Sequence, residues 1–163
     1  MRPGIGAFSA AAAAMIMAGC GGPSGTTGSN APAPSPTAAP NVQAKPETVA
    51  GQSMTILVDT RGMTLYRWST DTGANKGKIN CVGGCAAVWP PFVLTGGATT
   101  PVPGPSVTGT LTTLANPEGK GTQVLYNGWP LYFYAKDQAP GDTTGQGVGG
   151  KWFVVPPDQA PNA

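Results

Sequence analysis

Hydrophobic and polar positions divide the chain into three stretches. From Ile5 to Met17 the residues are apolar or small, and Arg2 is the only charge before them. That run is shorter than the roughly 20 apolar residues a bilayer span needs. It has the size of a signal-peptide core, and 1–19 reads as a signal peptide. From 20 to 50 no apolar period exists. Gly, Pro, Ser, Thr, Ala and Asn prevail, and Lys45 and Glu47 are the only charges. Such a composition buries too little to fold, so 20–50 reads as a disordered linker. Its Ala31-Pro32-Ala33-Pro34-Ser35-Pro36 run favours extended polyproline geometry. From 51 to 157 short apolar runs rich in β-branched and aromatic residues alternate with turn residues. They predict strands over 54–58, 65–68, 108–114, 123–126, 131–134 and 152–155. A single helical turn is expected over 85–88, ended before Pro90. Residues 158–163 read as a tail.

Composition narrows the class. The chain holds 25 Gly and 18 Pro, and only 10% of its residues are charged. Turns are therefore frequent and long helices disfavoured. Net charge is +2 with no basic run, which argues against a nucleic-acid partner. The chain has no histidine. That removes Ser-His-Asp and Cys-His nucleophile pairs, the HExxH zinc site, c-type haem attachment and imidazole metal ligands.

The folded stretch contains one unit twice. Gly62-Met63-Thr64-Leu65-Tyr66-Arg67-Trp68-Ser69-Thr70-Asp71 aligns without gaps on Gly128-Trp129-Pro130-Leu131-Tyr132-Phe133-Tyr134-Ala135-Lys136-Asp137. Each copy then runs through a Gly-rich loop to a tryptophan, Trp89 in the first and Trp152 in the second. The copies span about 52–93 and 108–157. Each reads as a hairpin turning at Arg61-Gly62 or at Asn127-Gly128. The expected fold is all-β: a small sandwich or barrel-like domain from two pseudo-symmetric repeats, over 51–157, preceded by the signal peptide and the linker.

The two Tyr-x-aromatic-x-x-Asp segments, Cys81-Val82-Gly83-Gly84-Cys85 before Trp89-Pro90-Pro91, and the run Gln123 to Gly128 carry a resemblance. So does Gly141-Asp142-Thr143-Thr144-Gly145-Gln146-Gly147 leading to Trp152. Together they resemble a family of bacterial lipoproteins with a conserved Yx(FWY)xxD motif, a secreted repeat of unknown function. The resemblance implies an extracytoplasmic lipoprotein and no particular activity. Met17-Ala18-Gly19-Cys20 likewise resembles the lipobox of bacterial lipoprotein precursors. That resemblance implies that Cys20 is acylated and becomes the mature N-terminus, anchored to the outer face of the cell membrane.

With Cys20 given to lipid, Cys81 and Cys85 remain as a pair in an oxidising compartment and are expected to form a structural disulfide. The alternative is a redox pair or, with Met54 or Met63, a soft-metal site. The CxxxC spacing and the absent histidine weigh against it. In the repeat motif, Tyr66 and Trp68 share one strand face, as do Tyr132 and Tyr134. Asp71 and Asp137 follow at the strand ends, where a carboxylate can fasten a turn. These six residues, with Trp89 and Trp152, either build the core or line an aromatic cleft for a ligand. Paired-carboxylate hydrolysis by Asp71 and Asp137 is a further alternative. The Gly-rich loops lack the oxygens a calcium site needs. The leading expectation is a non-enzymatic, membrane-anchored binding module with an envelope ligand or protein partner, and with no metal or cofactor.

Overall fold

A computed structural model of the chain separates into two units, Met1–Ser35 and Pro36–Ala163. Residues 41–72 and 76–162, all in the second unit, are described. The expected signal peptide, Cys20 and the expected linker up to residue 40 lie outside the described residues.

The linker does not extend to residue 50. Strand β1, Val42–Val49, pairs antiparallel with β2, Gln52–Asp59, from Val42↔Asp59 to Val49↔Gln52. Its polar residues concealed it: Lys45, Pro46 and Glu47 lie mid-strand, while the buried positions are the end residues Val42 and Val49. The two strands are joined by Ala50-Gly51, with φ of 49° and 83°. Positive φ at both positions is the turn geometry that suits right-twisted strands. The pair Asn127-Gly128, with φ of 50° and 83°, repeats that geometry between β5, Thr122–Tyr126, and β6, Trp129–Pro130.

The remaining elements are short. After the Arg61-Gly62 turn, β3, Tyr66–Trp68, pairs with the last strand, β7, Trp152–Val154. Helix α1, Gly84–Val88, is one turn. Strand β4, Leu111–Ala115, flanks β5. The sheets are β1-β2, β3-β7 and β4-β5-β6. Single bridges tie them together, among them Val58↔Thr64, Tyr66↔Tyr132 and Val93↔Gln123. Among the described residues the domain is thus all-β, with α1 as its one α-helical turn and a short 3-10 turn at Val148–Gly150.

The strand expected over 131–134 does not form a ladder. Leu131 N–H bonds Val124 O at 3.0 Å, Tyr132 exchanges bonds with Tyr66, and Phe133 N–H bonds Pro90 O at 2.8 Å. Each residue is extended but serves a different neighbour. Its side chains still alternate, and this alternation splits the core in two. Tyr66, Tyr132, Tyr134, Trp89 and Trp152 fall in one cluster. Leu65 and Leu131 fall in the other, with Phe133 packed against it.

Residues 158–162 form a strap rather than a loose tail. Asn127 Nδ2 donates to Gln159 O, Trp129 Nε1 to Ala160 O, and Asn162 Nδ2 to both Asp71 O and Gly128 O. Asn162 is buried. The strap therefore ties the end of the first motif to the turn of the second.

Candidate functional site

The two motif tyrosines meet at the centre of the domain. Tyr66 N–H donates to Tyr132 O at 2.8 Å and Tyr132 N–H to Tyr66 O at 3.0 Å. This reciprocal pair marks a local twofold axis between the repeats. The side chains obey the same symmetry. Tyr66 Oη donates to Asp137 Oδ2 at 2.7 Å, and Tyr132 Oη donates to Asp71 Oδ2 at 3.1 Å. Each repeat's tyrosine thus binds the other repeat's aspartate. In turn Gly145 N–H donates to Tyr66 Oη at 3.2 Å, and Cys81 N–H plays that part for Tyr132.

The aromatics follow the axis as well. Tyr134, Trp89, Trp152 and Trp68 stack in that order, with ring centroids 4.3, 3.8 and 5.2 Å apart. The repeat equivalences put Trp89 opposite Trp152 at the middle, and Trp68 and Tyr134 at the two ends. Tyr66 stands edge-on to Trp89 at 5.5 Å, and Tyr132 edge-on to Trp152 at 5.3 Å. Stacked and edge-on pairs of this kind stabilise beyond their area. Gly145 is required beside them, because a β-carbon there would stand 2.7 Å from the Tyr66 ring and 3.0 Å from Trp89.

The electrostatics match a closed site. Burial pushes the Asp71 carboxyl up to about 6, against the opposing pull of its bonds from Asn80 and Tyr132. Burial and the neighbouring carboxylate raise both tyrosines above their ordinary value, so they remain donors. Asp71 and Asp137 are 0% and 7% exposed, so both carboxylates are buried. Asp137 is held further by Thr144 N–H and Oγ1. The eight motif residues therefore come together in the core rather than around an open cleft: seven are buried and Trp68 is half-buried, the tyrosines and aspartates are paired, and Trp68 Nε1 is enclosed without a hydrogen-bond partner.

Cys81 and Cys85 form a disulfide with Cα atoms 5.2 Å apart. The bridge spans the start of α1, and Trp89 N–H caps that helix on Cys85 O at 2.8 Å. The disulfide thus fixes the segment that delivers Trp89 to the stack. With both sulfurs bonded to each other, no thiolate is left to ligate a soft metal. Among the described residues no group of three or more His, Cys, Asp or Glu could hold a metal ion.

An open feature lies elsewhere. A half-open groove of about 530 Å³ runs between the Asp59–Arg61 turn and residues 91–95. Phe92, Leu94 and Phe133 form its apolar wall, and Asp59, Arg61 and Thr95 its polar side. Asp59 is buried and accepts from Arg61 N, Met63 N and Arg61 Nε. That grip lays the Arg61 guanidinium over the Phe133 ring at 5.4 Å. The Arg61 side chain is still 68% exposed, and only its Nε is engaged by Asp59. The sequence marks Arg61 only as a turn residue and Phe133 only as part of the repeat, and it points to none of these residues as a ligand site. Asp59 at a strand end before Arg61-Gly62 was the available signal, but the opposite wall arrives some 30 residues later in the chain.

A family model described as a secreted repeat of unknown function matches residues 47–93 and 113–156. The chain belongs to the secreted-repeat family. The two matched segments are the two copies related by the axis, and together they cover more than half of the chain. The first match begins inside β1, so the secreted repeat includes part of that strand. No curated protein and no solved structure matches the chain. Membership of a secreted family agrees with a place outside the cytoplasm. Among the described residues no helix is long and apolar enough to cross a membrane.

Proposed function

We propose that this secreted-repeat protein is a lipid-anchored, non-enzymatic binding module. Cys20 is its acylated end, and the groove beside Arg61 receives a small amphipathic molecule. The observation that carries the reading is the division of labour between the two regions. The motif tyrosines and aspartates pair with one another in the core, and the tryptophans stack beside them. The Arg61 guanidinium and the Phe133 ring instead stand at an open groove with an apolar wall. Asp59 engages the Arg61 guanidinium through Nε alone and leaves it largely exposed, so the groove suits a hydrogen-bond acceptor, such as a carboxylate, carried on an apolar body. A cavity that combines apolar walls with a few placed polar groups is the usual form of a ligand site.

The test is a thermal-shift and NMR titration of residues 36–163 with short fatty acids and aromatic carboxylates. Saturable shifts in amides 59–62, 92–95 and 133 are expected, and Arg61→Ala and Phe133→Ala should abolish them. Shifts that survive both substitutions, or none with any probe, would end the groove reading. Anchoring is tested separately by mass spectrometry of membrane-extracted protein. Acyl mass on the N-terminal cysteine is expected and should vanish in Cys20→Ser.

A further inference from the structure

The sheet edges of this domain are not treated alike. Strand β1 is guarded on its outer side. Val42 O accepts Gly104 N–H at 2.7 Å, Thr48 O accepts Thr143 Oγ1 at 2.9 Å, and Pro46 between them has no N–H. Lys45 and Glu47 add charge. Short, charged or proline-bearing edges are how proteins prevent unwanted strand pairing. The outer side of β2 is occupied over its second half, by Leu65 N–H on Leu57 O, by Leu57 N–H on Val155 O and by Asp59 N–H on Met63 O, while its exposed start at Ser53 and Thr55 is left uncovered among the described residues. β7 is closed by Gly147 N–H on Trp152 O and by Gln146 Oε1, which accepts Val154 N–H.

Strand β4 has none of these devices. The bonds flanking it, Asn127 N–H to Thr110 O and Asn116 N–H to Gly121 O, assign its even-numbered backbone groups to β5. By the alternation of an antiparallel ladder, Leu111, Thr113 and Ala115 then point N–H and C=O away from the sheet. Among the described residues these groups have no partner outside the ladder. The stretch 106–117 carries no charge, and its one proline lies beyond the strand. On the outer face Thr112 and Leu114 are exposed, Leu114 by 38%.

We propose that β4 is the seam of a homodimer, pairing antiparallel with β4 of a second copy about a twofold axis at Thr113. The occupant is a second copy because the strand complements itself. Thr113 exchanges two bonds with its own mate, and Leu111 pairs with Ala115 of the other copy in both directions. The outward face places Thr112 opposite Leu114. No charge meets a like charge. The seam is one short strand, smaller than a standard stable interface, so the dimer is weak and concentration-dependent.

Residues 36–163 are the material for the test, since every residue of both core clusters lies within them. Sedimentation equilibrium and amide exchange are followed from about 10 µM to about 1 mM. The amides of Leu111, Thr113 and Ala115 should gain protection with concentration, while those of Thr112 and Leu114 stay protected throughout. Two exposed-face variants keep the fold and set the sign. Thr112→Lys with Leu114→Lys juxtaposes like charges twice across the axis and should abolish association. Thr112→Lys with Leu114→Glu juxtaposes opposite charges twice and should tighten it by about tenfold. A wild-type chain that stays monomeric to the highest concentration overturns the proposal. So does association indifferent to the sign of these charges, or protection gained at other amides.

Discussion

At the scale of single residues, the family motif is a mutual fastening. Tyr66 reaches Asp137 and Tyr132 reaches Asp71, so each signature is completed only by the other copy. Removing either hydroxyl leaves a buried carboxylate short of a donor, a loss of about 1–3 kcal/mol. Tyr66→Phe and Tyr132→Phe should each lower the urea midpoint accordingly, with no new fold. The pH dependence has a definite sign. Asp71 has its folded value raised to about 6 from 3.8, so the folded state holds this proton more tightly. Its contribution is full below the unfolded value and is lost as pH rises through about 6. The size is on the order of 2–3 kcal/mol between those limits. Urea unfolding at pH 4 and pH 7.5 checks this, and Asp71→Asn should remove that component and leave a flatter profile. Ala50 offers the opposite case. It holds φ of 49° in the β1–β2 turn, where a side chain is strained and asparagine or glycine is suited. Ala50→Asn should raise stability by roughly 0.5–1 kcal/mol, read as an upward shift in Tm.

At the scale of elements, legibility followed periodicity. β2, β3, β5 and β7 are legible to within a few residues because each sends alternate residues into an apolar cluster: Ile56 and Val58, Tyr66 and Trp68, Val124 and Tyr126, Trp152 and Val154. α1 was placed by the proline after Trp89. β1 was missed because both of its buried ends are valines separated by polar residues and a proline, a pattern that composition assigns to linker. The strap at 158–162 was missed for a related reason. It holds on through amide side chains and main-chain carbonyls, which leave no hydrophobic signature. Its worth can be measured. Ending the chain after Asp158 removes the bonds to Asn127, Trp129 and Asp71 and should cost about 2–4 kcal/mol. Denaturant curves of the truncated and full second unit give that difference directly. The Cys81–Cys85 bridge is legible once Cys20 is set aside for lipid, which leaves an even pair. What parity did not reveal is its load, the aiming of Trp89 into the ring stack.

At the scale of the molecule, the chain behaves as a dimer of one unit joined by a long connection. Neither repeat holds a complete core: the ring stack from Tyr134 to Trp68, the backbone pair of Tyr66 with Tyr132 and both tyrosine–aspartate bonds cross the axis, and only the edge-on contacts of Tyr66 with Trp89 and of Tyr132 with Trp152 stay within a repeat. The repeat was visible in the sequence, but its reciprocity was not. Nothing in Yx(FWY)xxD says that the tyrosine and aspartate serve different copies, because the motif places them close together along one chain. The connection around 95–100 is exposed throughout and far from the tyrosine pair in sequence. A cut between Thr99 and Thr100 should therefore be tolerated once both halves are present. Residues 36–99 and 100–163, made separately, should each lack the near-ultraviolet circular dichroism of packed tryptophans. Mixed in equal amounts, they should recover it with second-order kinetics, because assembly and folding are the same event. A half that shows the native tryptophan signal alone would mean that the axis joins two finished units. Tyr66→Phe in one half should slow or weaken recovery through the bonds its hydroxyl makes to the other half, to Asp137 and from Gly145 N–H, which ties the whole-molecule assembly to the smallest contact in the site.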